Sequence, residues 1–193
     1  MISAIVLAAG RSTRMGSQKM LLPWGETTVI ENVISTLQEV GIPNIRVVTG
    51  EMHAKISERL QEYNVQLVFN KDYENGEMLT SIQVGICEIN AAADAILIVL
   101  GDQPQIKAQV IREIIERYLV THHPIIVPSY KMHRGHPWLL GQSFWEEILA
   151  LKPPETLRDF LIKHNVEIDY VNVDTPSVLQ DLDTQQDYSQ FKP

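Results

Sequence analysis

ISAIVLAAGRSTRMGSQKMLL, from Ile2 to Leu22, decides how the rest of the chain is read. It begins with an apolar run, Ile2 to Ala8, of the length and character of a strand buried on both faces. The run breaks at Ala9-Gly10 into a segment that carries Arg11, Arg14 and Lys19 and no acid. Small residues at Ala8, Ala9 and Gly10 let backbone N–H groups come close to a ligand, while Ser12 and Thr13 add hydroxyl donors. A strand that ends in glycine and cations predicts an anion site, with a nucleoside triphosphate as its ligand. The same composition, taken alone, also describes a solvated basic loop.

Two familiar phosphate motifs are excluded by spacing. A P-loop requires four residues between its glycines and then Lys-Ser/Thr, whereas Gly10 and Gly16 enclose five and Lys19 precedes Met20. A G-x-G-x-x-G dinucleotide turn does not occur either.

The chain has 193 residues, 45% hydrophobic and 21% charged, enough for one domain, residues 1–193, with a substantial core. A net charge of −8 argues against nucleic acid as a partner. The single cysteine, Cys87, excludes an internal disulfide framework and a cysteine-rich zinc site, and is expected to be a buried thiol. No apolar run reaches the roughly 20 residues needed to span a bilayer, so a cytoplasmic protein without a membrane partner is expected.

Working outward, Thr28 and Glu31 have capping-box spacing ahead of a helix that Gly41 and Pro43 stop. Strands are predicted at Ile45 to Thr49, Val65 to Phe69, Ala95 to Leu100, from Ile125, and at Ile168 to Val173. Helices are predicted at His53 to Tyr63, Met78 to Ile89, Ala108 to Val120, Ser143 to Leu151, Thr156 to His164 and after Thr184. The alternation predicts a three-layer α/β/α sandwich with a mainly parallel sheet. In such sheets ligands sit beyond the carboxyl ends of the strands. Gly101-Asp102-Gln103-Pro104 follows the most apolar strand, and an aspartate there can hold Mg²⁺; it can equally be a turn residue. Asp181 and Asp183 alternate about Leu182 and share one side if extended, or else cap the last helix. His136, between Gly135 and Pro137 with Arg134 nearby, reads either as an anion contact or as a turn. His53 and His164 read as surface residues.

Leu7-Ala8-Ala9-Gly10-Arg11-Ser12-Thr13-Arg14-Met15-Gly16, with Lys19, closely resembles the signature L-A-A/G-G-x-S-x-R-M-G-x-x-K of the molybdenum-cofactor-type, MobA-like nucleotidyltransferases. The resemblance implies the Rossmann-like fold of nucleotide-diphospho-sugar transferases. It also implies that the loop wraps a triphosphate, with Leu7 to Ser12, Arg14 and Lys19 at the nucleotide, and with Arg14 and Lys19, alongside Asp102, as catalytic groups. Asn70, Gly76, Met78 and Ser81 resemble the family segment that holds base and ribose. The family's Gly-Asp-x-Pro aspartate binds magnesium, which implies Asp102 as the main ligand, with Asp183 ahead of Asp181 as the second.

The Gly-His-Pro resembles the cytidylyltransferases of this family and implies Arg134 and His136, with Arg158, on the acceptor side. The implied reaction joins CTP to a molybdopterin-type acceptor, for a client molybdoenzyme or accessory protein. Gln185 and Gln186 depart from the family's late Thr-Pro-Glu-Asp, and the Lys152 to Arg158 segment lacks the family's glycine turn. A guanylyltransferase, a sugar- or polyol-phosphate nucleotidyltransferase and a non-catalytic nucleotide-binding accessory protein remain the alternatives.

Overall fold

The computed structural model describes residues 1–10, 18–74 and 78–193. Its main sheet is laid down by β1 (Ile2–Ala8), whose alternating residues are buried on both sides. Ala4, Val6 and Ala8 enter one core, while Ile5 and Leu7 enter the other. A two-stranded ribbon follows, β2 (Pro23–Trp24) with β3 (Thr27–Thr28). It leads into α1 (Val29–Val40), whose capping box is formed as its spacing predicts: the Thr28 backbone N–H donates to Glu31 Oε2 at 2.8 Å. Gly41, at φ 87°, ends the helix in the left-handed conformation that glycine adopts without strain.

The chain then forms β4 (Ile45–Thr49), α2 (His53–Arg59), β5 (Gln66–Phe69), α3 (Met78–Cys87), β6 (Ala95–Leu100) and α4 (Ala108–Thr121). After α4 come β7 (Ile125–Tyr130), β8 (His133–Arg134), β9 (Trp138–Gly141), α5 (Trp145–Ala150), α6 (Leu157–Lys163), β10 (Ile168–Asn172) and α7 (Gln185–Phe191). Strand order is β10-β7-β9-β6-β1-β4-β5, with β8 paired to β7. Residues of α1, α2 and α4 fill the core on one face, and residues of α3, α5 and α6 fill the other. This is the layered α/β sandwich that the alternation predicts.

Chain order places β4 and β5 on one side of β1 and β6 on the other, so the winding reverses at β1. A crevice therefore opens outside the carboxyl ends of β1 and β6. Gly85 lets α3 lie against this part of the sheet, since a Cβ there would stand 2.6 Å from Ile5 Cγ2. Gly101 lets the end of β6 run close to β1, since a Cβ there would stand 2.9 Å from the Leu7 carbonyl oxygen.

Several expectations are corrected. Trp138–Gly141 forms an antiparallel strand between β6 and β7, where the sequence pattern predicts none. Cys87 is exposed, at the last turn of α3, rather than buried. The His164 side chain is only 12% exposed, wedged against Phe144 and Phe160 and paired with Glu147, rather than on the surface. The cap of α7 is Thr184, bonded to Asp187, not Asp183. Among the described residues no helix is long and apolar enough to cross a membrane.

Candidate functional site

Lys19 starts a single 3₁₀ turn, Lys19–Leu21, just beyond the carboxyl end of β1. Although it is a lysine, it is only 8% exposed. Burial by itself lowers its proton affinity, but the charges and hydrogen bonds of Asp102 and Asp183 outweigh that and raise its pKa above the usual lysine value. Its Nζ lies 2.5 Å from Asp102 Oδ2 and 3.3 Å from Asp183 Oδ1. One ammonium thus joins the carboxyl end of β6 to a segment 81 residues further along, counting from 102 to 183.

That late segment is fixed by its own contacts. Leu182 is fully buried with Trp24, Val29 and Tyr188, in a small core under the β2–β3 ribbon. Tyr188 anchors it by donating its hydroxyl to the Pro23 carbonyl at 2.6 Å. The Leu182 N–H donates to the Asp102 carbonyl at 3.2 Å, and the Gln105 amide donates to the Gln180 carbonyl. Gln103, 2% exposed, donates from Nε2 to Asp181 Oδ1 at 2.7 Å. With Leu182 held inward, both neighbouring acids turn to the pocket, as their alternation predicts. Burial, then the nearby Asp102 charge, raises the pKa of Asp181.

The pocket has a volume of about 480 Å³. Leu7, Ala9, Gly10, Lys19, Ser81, Asp102, Asp181 and Asp183 line it, together with Tyr73, Glu74, Met20 and Met78. Ala8 is 2% exposed and points into the core instead. Asn70 is 1% exposed and acts from behind the wall: its Nδ2 donates to Ser81 Oγ at 3.1 Å, and its Oδ1 accepts from the Asp72 N–H at 3.0 Å. Ser81 is buried and faces the pocket, which excludes a purely solvent-facing role. Arg11, Ser12, Arg14 and Gly76 lie outside the described residues.

The remaining sequence-derived residues are dispersed. His136 precedes β9 two residues before the Ile98–Trp138 pair, so it comes to the carboxyl end of β6, but it does not line the pocket. Its ring stacks on Trp138 with centroids 4.2 Å apart, and burial drives its pKa down to about 4. Arg134 donates to Asn165 Oδ1 at 2.6 Å and lies over the Tyr170 ring at 5.6 Å. Arg158 is exposed in the first turn of α6, beside Asp159. Gln103, Tyr73 and Glu74 were not singled out from sequence. Gln103 sits inside the Gly-Asp-x-Pro segment and could have been flagged by its place there, whereas nothing in the local pattern marks the other two.

A larger concavity of about 1090 Å³ lies among α1, α2 and the β2–β3 ribbon. It is lined by Glu26, Glu31, Glu58 and Glu62 against Lys55 and Arg59, an acidic balance that repels a triphosphate. Among the described residues no group of three or more His, Cys, Asp or Glu side chains is arranged to hold a metal ion by itself.

Residues 4–168 match the model of the MobA-like NTP transferase domain. The chain is 26% identical over 191 residues to the molybdenum cofactor cytidylyltransferase of Escherichia coli K12, covering 97% of this chain and 93% of that protein. A nucleotidyl transferase from Methanothermobacter thermautotroptrophicus superposes with a TM-score of 0.85 at 26% identity, over 100% of this chain and 96% of that one. Rv0371c of Mycobacterium tuberculosis, crystallised with manganese, superposes at 0.83 with 25% identity, over 99% and 97%. The chain belongs to the MobA-like NTP transferase family and is a nucleotidyltransferase.

Proposed function

We propose that the protein is a magnesium-dependent cytidylyltransferase that joins CTP to a molybdopterin-type acceptor. A phosphate oxygen of the acceptor attacks the α-phosphorus of CTP, the bond from that phosphorus to the bridging oxygen breaks, and pyrophosphate leaves with that oxygen. No protein nucleophile is needed, so positioning and charge neutralisation carry the chemistry. The observation that carries this reading is the convergence of Lys19, Asp102 and Asp183 in one pocket at the carboxyl ends of β1 and β6. Likeness to the Escherichia coli cytidylyltransferase along nearly the whole chain favours CTP over other nucleotides.

In this reading Lys19 neutralises the phosphates together with Arg11 and Arg14, which lie outside the described residues, while Leu7, Ala9 and Gly10 form the wall against which the nucleotide lies. Asn70 holds Ser81 toward the ribose. The donor set suits magnesium, which binds proteins through one or two carboxylates; Asp102 and Asp183 would hold it, with Asp181 beside them. Bound there, the ion would offset charge developing at the reacting phosphorus. The manganese complex of the related mycobacterial protein supports a divalent ion in this family.

Pyrophosphate release measured with CTP, GTP, ATP and UTP, each with Mg²⁺ and a molybdopterin acceptor, tests the assignment. CTP is expected to give the highest kcat/KM by at least about tenfold, or 1.4 kcal/mol. Equal or faster turnover with GTP would transfer the assignment to a guanylyltransferase.

A further inference from the structure

Resting on that reading, we infer that Lys19 is an internal counter-ion that competes with the divalent cation for the same carboxylates, so that the cation is admitted together with the nucleotide and not before it. The ammonium makes contacts at 2.5 Å and 3.3 Å with Asp102 and Asp183, the two acids offered to the metal. A positive ion entering between these carboxylates meets Lys19 as a like charge a few ångströms away, screened little on the Asp102 side, where the side chain is 16% exposed, and more on the half-exposed Asp183 side. The lysine is only 8% exposed where it stands, and retreat to solvent would give up both ion pairs. A triphosphate changes this balance. Its oxygens offer the ammonium an alternative anionic partner within the same pocket, and each contact Lys19 transfers to phosphate releases carboxylate oxygen for the cation. Asp181, held aside by Gln103, remains with the cluster throughout. Nucleotide and cation therefore each raise the other's affinity, as linkage requires.

The sign of one measurement separates this from an ordinary binding role for the lysine. Mn²⁺ binding to the free protein, without nucleotide, is followed by loss of the free-ion EPR signal. Lys19→Met and Lys19→Ala are expected to bind Mn²⁺ about tenfold tighter than the unmodified protein, and Lys19→Arg about as weakly, since it keeps the charge. Equal or weaker binding by folded Lys19→Met would overturn the inference. In the double variant Lys19→Met/Asp102→Asn the gained affinity is expected to vanish. Should it persist, the cation sits elsewhere, and it is the assignment of Asp102 as ligand that fails.

The unmodified protein gives a second measurement that does not depend on any variant's folding. The ¹⁵Nζ resonance of Lys19 is expected to move when α,β-methylene-CTP and Mg²⁺ are added together, and to stay in place with the same concentration of Mg²⁺ alone. A full shift with Mg²⁺ alone would refute the competition.

Discussion

The rim at the carboxyl ends of the strands has two halves built on different principles. On the β1–β6 half, Lys19, Asp102 and Asp183 come from three distant parts of the chain and converge on one ammonium that is almost wholly buried. On the β7–β10 half, Arg134 is already committed to Asn165 and Tyr170, His136 is stacked on Trp138, and Arg158 stands apart on α6. Charges held in a low-dielectric pocket interact strongly, whereas exposed ones with local partners interact weakly. The first half therefore gathers its charges in one pocket, and the second spreads its groups over separate local contacts. The largest expected effect follows from that contrast. Asp102→Asn, nearly isosteric but uncharged, is expected to lower pyrophosphate release by on the order of a hundred- to a thousand-fold with the fold intact by circular dichroism. A loss smaller than about tenfold would erase the distinction between the halves.

The same contrast explains what could be read from sequence. The strand Ile2–Ala8, the Gly-Asp-Gln-Pro turn and the capping box at Thr28 are each set by neighbours within a few residues, and each is found where the pattern puts it. The Asp181-Leu182-Asp183 alternation was legible because one buried leucine forces its neighbours outward. What escaped was decided by long-range packing. Trp138–Gly141 becomes a strand because β6 and β7 leave a slot between them, and its short sequence, bracketed by proline and glycine, carries no period to read. Cys87 falls on the outer side of α3, one residue past Ile86, which enters the core. His164 is drawn in by two phenylalanines from different segments. Gln103 acquires its importance only from Asp181, 78 residues away.

An intermediate effect belongs to His136, where the second half comes nearest the first. Burial lowers its pKa from 6.5 to about 4, opposed by a backbone hydrogen bond at Ile98. The folded state thus takes up the proton less readily than the unfolded chain. Its share of stability is complete above about pH 6.5 and is lost progressively as pH falls toward 4, by up to about 3 kcal/mol. Urea unfolding of the unmodified protein and of His136→Gln, at pH 7.5 and 4.5, isolates this share. The unmodified protein is expected to lose more stability on acidification than the variant, by roughly 2–3 kcal/mol. Equal losses would show that the imidazole titrates freely, and the stacked, enclosed geometry would no longer separate it from the exposed residues of its half.

The smallest effect is expected at Arg134, and it sharpens the comparison because its direction depends on a competition. An arginine that contacts an acceptor phosphate gains a charge-assisted hydrogen bond worth about 1.5–3 kcal/mol. Here it must first release Asn165 and slide from the Tyr170 ring, each contact worth up to about 1 kcal/mol at an exposed site. With both contacts charged in full, the difference leaves at most about 1 kcal/mol, so Arg134→Ala is expected to raise the acceptor KM by no more than roughly fivefold, with the nucleotide KM and the melting temperature little changed. Removing the competitor gives the opposite sign. Asn165→Ala frees the guanidinium and is expected to lower the acceptor KM by a few-fold, within the energy of the one hydrogen bond it deletes. If both variants leave the acceptor KM where it was, Arg134 serves only to pin the β7–β8 hairpin to the edge of the sheet, and recognition of the acceptor rests on the centre that Lys19 organises.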